Sequence, residues 1–381
     1  MKSDCYALFD LAQWKNGLAF KKIDFSSDGE PVIKIAELKN GITGQTQFTE
    51  GDYGDEVHLT KGDMLFSWSG NPETSIDVFW YNLPDGWLNQ HIFKVIPKPF
   101  VDRNFLYYLL KSLKATFTAI ASNKQTTGLG HITLKDLKKL NIALPSEKEQ
   151  KIIGRYLYTI DQKISVNQAI NDNLAEILQT LYQQQFCYSK GTGNQGRLAD
   201  LCDYSKTKVA VAELSLSTYY STENMLPGKA GAVDAASLPT TAQATKCQIG
   251  DVLISNIRPY FKKIVYCHSD CGCSADVLCF TPKVSQLSAY LYSTLYVDSF
   301  FDFMVAGSKG TKMPRGDKQQ IMAYVIHIPT EEEIRTFNKL AIPILGQMES
   351  THRENMRLSS LRDSLLPKLM SGELDVSELD I

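Results

Sequence analysis

LKKLNIALPSEKEQ (137–150) and IMAYVIHIPTEEEI (321–334) lie 184 residues apart and read alike: an apolar run, a Pro, a Ser or Thr, then an acidic start to a long charged segment. The same offset pairs Ile160 with Ile344, Asn171 with Asn355, Leu174 with Leu358 and Leu181 with Leu365. A unit that ends this way twice is a duplication, and a duplication predicts pseudo-twofold symmetry. Two like globular units suit a target that is itself bipartite, of which duplex DNA is the commonest.

Outward from the first copy, Ile153, Leu157, Ile160, Ile164, Asn167, Asn171, Leu174, Leu178 and Leu181 alternate steps of four and three, the seam of a coiled coil. Ser146 and Glu149 form a capping-box signature at its start, and the seam ends near Phe186, before the linker SKGTGNQG (189–196). In the second copy Phe337, Ala341, Ile344, Met348, Thr351, Asn355, Leu358 and Leu365 repeat the stripe. There Arg362 stands where the first copy has Leu178, and Pro343 with Gly346 predicts a kink or break in the first third of the helix.

The segments before each stripe read as short strands punctuated by turns. GDMLFSW (62–68) matches GDVLISN (250–256), IFKVIP matches VLCFTP, and the helical DRNFLYYLLKSLKATFTAI (102–120) matches LSAYLYSTLYVDSFFDFMV (287–305). Phe105, Leu109, Leu113 and Phe117 recur at steps of four, as one core-facing helix would have them. The expected fold is α+β: two similar α/β domains, 1–145 and 196–329, joined by helices 146–188 and 330–371 in an antiparallel coiled coil. A seam of about 35 residues is roughly 50 Å long, or about 15 base pairs, so the helices would act as a ruler. Asn167 and Asn171 with Thr351 and Asn355 fall mid-seam, either as a buried layer that fixes register or as solvated polar positions.

At 381 residues and 22% charged the composition is that of an ordinary globular chain, with no membrane-length apolar run, and a cytoplasmic location is expected. The net charge of −2 argues against a stand-alone DNA binder. It is uneven, however: 1–145 are neutral, 196–329 carry +2 and the remainder −4. Any grip on phosphates must therefore come from local loops or from a partner.

No GxxxxGK[ST] loop occurs, and no Asn-Pro-Pro-aromatic motif: Asn71-Pro72 runs into Glu73, and Asn82-Leu83-Pro84-Asp85 lacks the second Pro and the aromatic. Nor does the acidic-x-Lys half of a nuclease site follow Pro84-Asp85, so the chain carries no evident catalytic machinery. Eight Cys suggest reduced thiols. CHSDCGC, with Cys267, His268, Asp270, Cys271 and Cys273, has irregular spacing for a zinc knuckle and no counterpart in the first half, which favours a turn and strand with buried thiols.

Reading bases requires anchoring donors plus side chains that reach base edges. The loop ASNKQTTGLGHIT (121–133) offers Lys124, Gln125, Thr126, Thr127 and His131. Its counterpart GSKGTKMPRGDKQ (307–319) offers Lys309, Thr311, Lys312 and Arg315. Arg258, Tyr260, Lys262 and Lys263 form a basic-aromatic group, and Ser67, Ser69 and Asn71 occupy the matching place in the first half. Trp68 and His91 read as buried core residues.

Together these pieces resemble the specificity subunit of Type I restriction-modification systems. The likeness rests on LAQWKNGLAF with PVIKIAELKNG, GDMLFSWSGNPETS followed by LNQHIFKVIPKP, TTGLGHITLKDLKKLNIALPSEKEQ, DVLISNIRPY with CGCSADVLCF, and LRDSLLPKLMSGELD. It implies two target recognition domains, each reading half of a split, asymmetric site on double-stranded DNA. It also implies helices that recruit two methyltransferase subunits and, through the complex, restriction subunits. Catalysis would then belong to those partners, as would S-adenosylmethionine, ATP and Mg, and this chain would hold no cofactor. PTEEEI departs from the Glu-Gln pair that Glu149-Gln150 provides, which suggests partner surfaces of unequal strength. Two other readings stand beside this one: a coiled-coil scaffold whose domains bind protein, and a self-sufficient enzyme.

Overall fold

The computed structural model describes residues 4–125, 128–187 and 194–378. The chain divides into two compact units, Met1–Lys163 with Leu358–Ile381, and Ile164–Arg357.

In the first unit, an antiparallel sheet runs in the order Ala12–Asn16, Ile92–Pro97, Met64–Ser67, Asp77–Trp80. A smaller mixed sheet runs Phe48–Thr49, Glu30–Ile33, Gly86–Leu88, His58–Leu59. A ribbon of Asp4–Ala7 against Asn141–Leu144 leads into the long helix Glu147–Tyr182. The helical stretch forecast over 102–120 is two helices, Arg103–Ser112 and Lys114–Ser122, because Leu113 adopts φ −84°, ψ 3° and turns the chain between them. Asp102 caps the first, its carboxylate accepting the Phe105 amide at 2.9 Å.

The start of the long helix is held as its sequence requires. The Ser146 amide donates to Glu149 at 2.8 Å, and the Glu149 amide donates back to the Ser146 hydroxyl at 3.4 Å. Gln150 beside them is 1% exposed; it accepts the Asp102 amide at 2.9 Å and donates to the Pro145 carbonyl at 2.9 Å. Gln150 is therefore a core clamp, and Ile334 at the matching place of the second copy is buried as well. Ile152, Ile153 and Leu157 lie in one core with Phe66, Phe105, Tyr108 and Phe117, and Leu369 of the helix Glu331–Met370 joins them. Arg362, anomalous in the heptad, bonds Asp161 at 2.7 Å, and the other oxygen of Asp161 accepts the Tyr108 hydroxyl at 2.6 Å.

The second unit repeats this plan. Its antiparallel sheet runs Cys202–Tyr204, Val277–Pro282, Val252–Ser255, Ile264–Tyr266, and a ribbon pairs Asn194–Arg197 with Val325–Ile328. The smaller sheets share three strands. Gly86–Leu88 lies parallel to Glu30–Ile33 and antiparallel to His58–Leu59, just as Cys271–Cys273 lies parallel to Tyr219–Tyr220 and antiparallel to Gln243–Cys247. The fourth strand is added at different edges, Phe48–Thr49 on Glu30–Ile33 and Lys208–Ala210 on Gln243–Cys247. Thr330 and Glu333 form the second capping box, with amide bonds of 2.7 and 3.3 Å.

Within this unit the two long helices run antiparallel. Asn167 donates to Asn355 at 2.9 Å and to Glu354 at 2.7 Å, Asn355 donates to the Ile164 carbonyl at 3.2 Å, and Asn171 to the Met348 carbonyl at 3.1 Å. Thr351, buried, bonds the Gln347 carbonyl of its own helix. Pro343 does not break the helix, which is continuous over Glu331–Met370. Pro343 and Gly346 both lie on the exposed side, where water can serve the carbonyl that Pro343 leaves without its amide. The first long helix closes in a π-type turn, Gln183–Cys187, that carries Phe186 into the core with Tyr182, Tyr290 and Phe337.

The smaller cores differ in chemistry. Ile33, Leu65, Tyr81, Trp87 and Leu88 fill the first, whereas Cys247, Cys267, Cys271, Cys273 and Cys279 help fill the second. His268 does not join the thiols but lies 4.0 Å from Glu349, and Asp270 is exposed. Among the described residues no group of three or more His, Cys, Asp or Glu is arranged to hold a metal ion, and no helix is long and apolar enough to cross a membrane.

Candidate nucleic-acid interface

In each unit two segments far apart in sequence meet beside the principal sheet. In the first, Ser69–Gly70 pairs with Gly130–His131, and the Ile132 amide donates to the Trp68 carbonyl at 2.8 Å. In the second, Ile257 bridges Arg315, and the Gly316 amide donates to the Asn256 carbonyl at 3.3 Å. The third strand of each site corresponds too, since the Trp68 amide bonds the His91 carbonyl at 3.2 Å and the Asn256 amide bonds that of Asp276 at 2.8 Å. His91/Ser69/His131 and Asp276/Ile257/Arg315 are thus equivalent trios on equivalent scaffolds.

The candidates in the first unit separate by burial. His131 and Gln125 are exposed and Ser69 is half-buried. Thr126 and Thr127 lie outside the described residues. Ser67 is fully buried, its hydroxyl donating to the Ser75 carbonyl at 2.6 Å, so it cannot meet a base: all four residues of Met64–Ser67 face the interior. Lys124 is half-buried and paired with Asp136. Burial opposes ionisation of that carboxyl, but Lys124 and Thr133 hold it below its usual range. Asn71 is exposed, and its carboxamide oxygen accepts the Glu73 and Thr74 amides at 3.0 and 3.1 Å, an Asx turn. Trp68 stacks on Phe93 at 5.6 Å and donates to Asn16 at 3.0 Å, at the rim of the core. His91 is exposed, contrary to the reading of it as core, because it lies just before the N-terminal end of the strand Ile92–Pro97 and not within it.

The second unit is more cationic. Thr311 and Lys312 are exposed. Arg315 pairs with Asp276 at 3.0 Å, and Lys309 with Asp317 at 2.7 Å, which raises the lysine's pKa and lowers that of the aspartate. The backbones of Lys309 and Arg315 exchange two hydrogen bonds of 2.9 Å, closing the loop. Arg258 reaches the same loop through its amide, which bonds the Pro314 carbonyl at 2.8 Å. Lys262 bonds Asp298 at 2.9 Å, Lys263 donates to the Thr222 carbonyl at 2.6 Å, and Tyr260 is exposed.

Composition passed over His91 and Asp276. The match of IFKVIP to VLCFTP carried the signal for both, since each is the residue immediately before the matched run. The exposed donors His131, Gln125, Lys312 and Arg315 are of the kinds that bond phosphate oxygens or base edges. No serine or cysteine among the candidates is paired with a general base.

Comparison with known proteins agrees with this architecture. The solved S subunit of the Type I restriction-modification system from M. genitalium superposes with a TM-score of 0.62 at 15% identity, covering 96% of this chain and 95% of that one. This establishes the fold: two α/β units and two long helices. Residues 2–176 match the model of the Type I restriction modification DNA specificity domain. The specificity subunit of the EcoBI enzyme of Escherichia coli is 26% identical over 176 residues, 45% of this chain and 35% of that relative, so the match spans about a third of its length. The MjaIX specificity subunit of Methanocaldococcus jannaschii is 21% identical over 416 residues, covering 94% of this chain and 96% of that one. Residues 2–176 thus match the Type I restriction modification DNA specificity domain, and over most of its length the chain is similar to Type I specificity subunits.

Proposed function

We propose that this chain reads the DNA sequence for a Type I restriction-modification complex, each unit contacting one half of a bipartite double-stranded site. The observation that carries the proposal is the recurrence of one surface, His91/Ser69/His131 and Asp276/Ile257/Arg315, on the same three backbone supports. A surface repeated in position but changed in side chains is what reading two different half-sites demands, and the recognised sequence is then asymmetric. In the first unit the contacts fall to His131, Ser69 and Gln125. In the second they fall to Lys312, Thr311, Arg315, Arg258 and Tyr260, with Lys262 and Lys309 supplying charge near the backbone.

Catalysis lies with methyltransferase and restriction subunits that the chain recruits, and with the S-adenosylmethionine, ATP and Mg they would bind. The near-neutral charge fits that division, since phosphate contacts would be shared with partners.

Duplex binding by the chain together with a methyltransferase subunit, measured against salt, tests the proposal. Lys312→Ala and Arg315→Ala should each weaken binding, by about 1–3 kcal/mol for a base contact, while a phosphate contact would instead lower the salt slope by about one. Duplex affinity that does not depend on salt and is untouched by both substitutions overturns it.

A further inference from the structure

The three non-glycine residues of positive φ among the described residues are Lys229 (65°), Arg258 (51°) and Lys262 (51°), and all three meet at one turn. Arg258 and Lys262 flank Pro259-Tyr260-Phe261, which forms a single tight turn closed by the Phe261 amide on the Arg258 carbonyl and the Lys262 amide on the Pro259 carbonyl, both 2.9 Å. The segment behind it holds the turn in place: the Gly228 amide donates to the Phe261 carbonyl at 2.8 Å and the Lys229 amide to the Lys262 carbonyl at 2.9 Å. Asp298 then ties the Lys229 and Lys262 ammonium groups at 2.7 and 2.9 Å, and burial of Pro259 fixes the base of the turn.

Left-handed backbone at lysine and arginine is unfavourable and persists only where the surroundings enforce it, which is why such strain gathers at functional surfaces. What the strain displays is two neighbouring aromatic rings, Tyr260 at 49% and Phe261 at 40% exposure, with centroids 4.8 Å apart. Lys263 lies 5.8 Å from the centre of the Phe261 ring, Arg258 and Lys262 flank the turn in sequence, and the Arg315 loop is joined to the same turn through the Arg258–Pro314 bond. The equivalent place in the first unit holds Gly70-Asn71-Pro72, with no aromatic residue.

Resting on the DNA-reading function proposed above, we infer that Tyr260 and Phe261 are a wedge that enters a base step of duplex DNA and partly unstacks it. An apolar side chain between bases must be presented rigidly, because a flexible turn would fold the rings back onto the protein, and the enforced backbone supplies that rigidity. The flanking cations neutralise the phosphates drawn in as the duplex bends. Pyrimidine–purine steps unstack most readily, so the second unit's half-site should carry one at the wedge, and specificity there comes partly from deformability and not from hydrogen bonds. The first unit, lacking the rings, reads without this device.

Selection of the full chain, alone and with a Type I methyltransferase subunit, on a randomised duplex pool provides the probe; 2-aminopurine is then placed at each adenine of the recovered duplex. The wedge predicts a several-fold fluorescence rise at one step that is lost in Tyr260→Ala/Phe261→Ala, with binding weakened roughly tenfold or more. Phe261→Trp should restore both. Lys312→Ala should weaken binding yet keep the rise at saturating protein. A recovered duplex with no rise at any step, or with a rise that survives the double substitution, overturns the wedge and leaves DNA reading intact. Failure to enrich any duplex overturns the DNA reading itself, and the wedge with it.

Discussion

Asp161→Ala is the substitution for which sequence and structure disagree most usefully. On the heptad pattern Asp161 is a polar residue outside the seam, and Arg362 is a fault at a core position. In the structure Asp161 accepts both the Tyr108 hydroxyl at 2.6 Å and the Arg362 guanidinium at 2.7 Å. Burial, then the Asp161 hydrogen bond, push the Tyr108 hydroxyl well above its usual pKa, so it stays a donor at every working pH. Tyr108 is 1% exposed, and removing its acceptor leaves a buried hydroxyl unsatisfied at about 1–3 kcal/mol. Loss of the partly buried pair with Arg362 adds about 1 kcal/mol, for a total of about 2–4 kcal/mol. All four tryptophans, Trp14, Trp68, Trp80 and Trp87, belong to the first unit, so tryptophan fluorescence in urea follows the unit that carries this network and no other. With a slope of about 2–3 kcal/mol per molar, the midpoint should fall by about 1 M. Tyr108→Phe should cost less, and the double variant should fall short of the sum by about 1–2 kcal/mol, because one hydrogen bond is counted in both single changes. Coupling below about 0.5 kcal/mol, or an unmoved midpoint, refutes the network.

Three further outcomes follow from the same kind of accounting. Asn167 and Asn171 each leave a buried carboxamide oxygen without a partner, so Asn167→Leu/Asn355→Leu should stabilise the second unit by about 1–2 kcal/mol in calorimetry at some cost in helix register; destabilisation counts against that view. At Asp77 burial opposes ionisation, yet Lys111 and Lys114 keep its carboxyl below the usual carboxylate range. A depressed folded pKa stabilises above the unfolded value and is lost as pH falls through the folded one, so with Asp136 behaving alike the fluorescence midpoint should hold above about pH 5 and drop below about pH 4. Lys111→Met should flatten that drop. Finally, of eight thiols only Cys5 and Cys187 are exposed, so a thiol reagent should modify two at once and the six buried ones on unfolding; a fast count of five or more would mean that the thiol-rich small core is open.

What the sequence determined by itself was everything set by near neighbours or by repetition. The duplication, the Ser146–Glu149 capping box, the seam from Ile153 to Leu181 and the correspondence of GDMLFSW with GDVLISN depend on spacings of a few residues or on a constant offset, and a linear string displays both. Tertiary structure alone decided which candidates reach the surface. Ser67 and Ser69 are two residues apart in one motif, yet one is fully buried and the other lies half-buried at the rim, because the sheet ends between them. Lys124 is spent on Asp136, Arg362 is a partner and not a fault, and Gln150 is a clamp. His91 and Asp276 enter the interface only when strands about 40 residues from the pre-helix loops fold beside them, and the left-handed turn at Arg258 exists only because Gly228, Lys229 and Asp298 are brought to it. Side-chain type is local information; the hydrogen-bond partner that consumes or frees it is not.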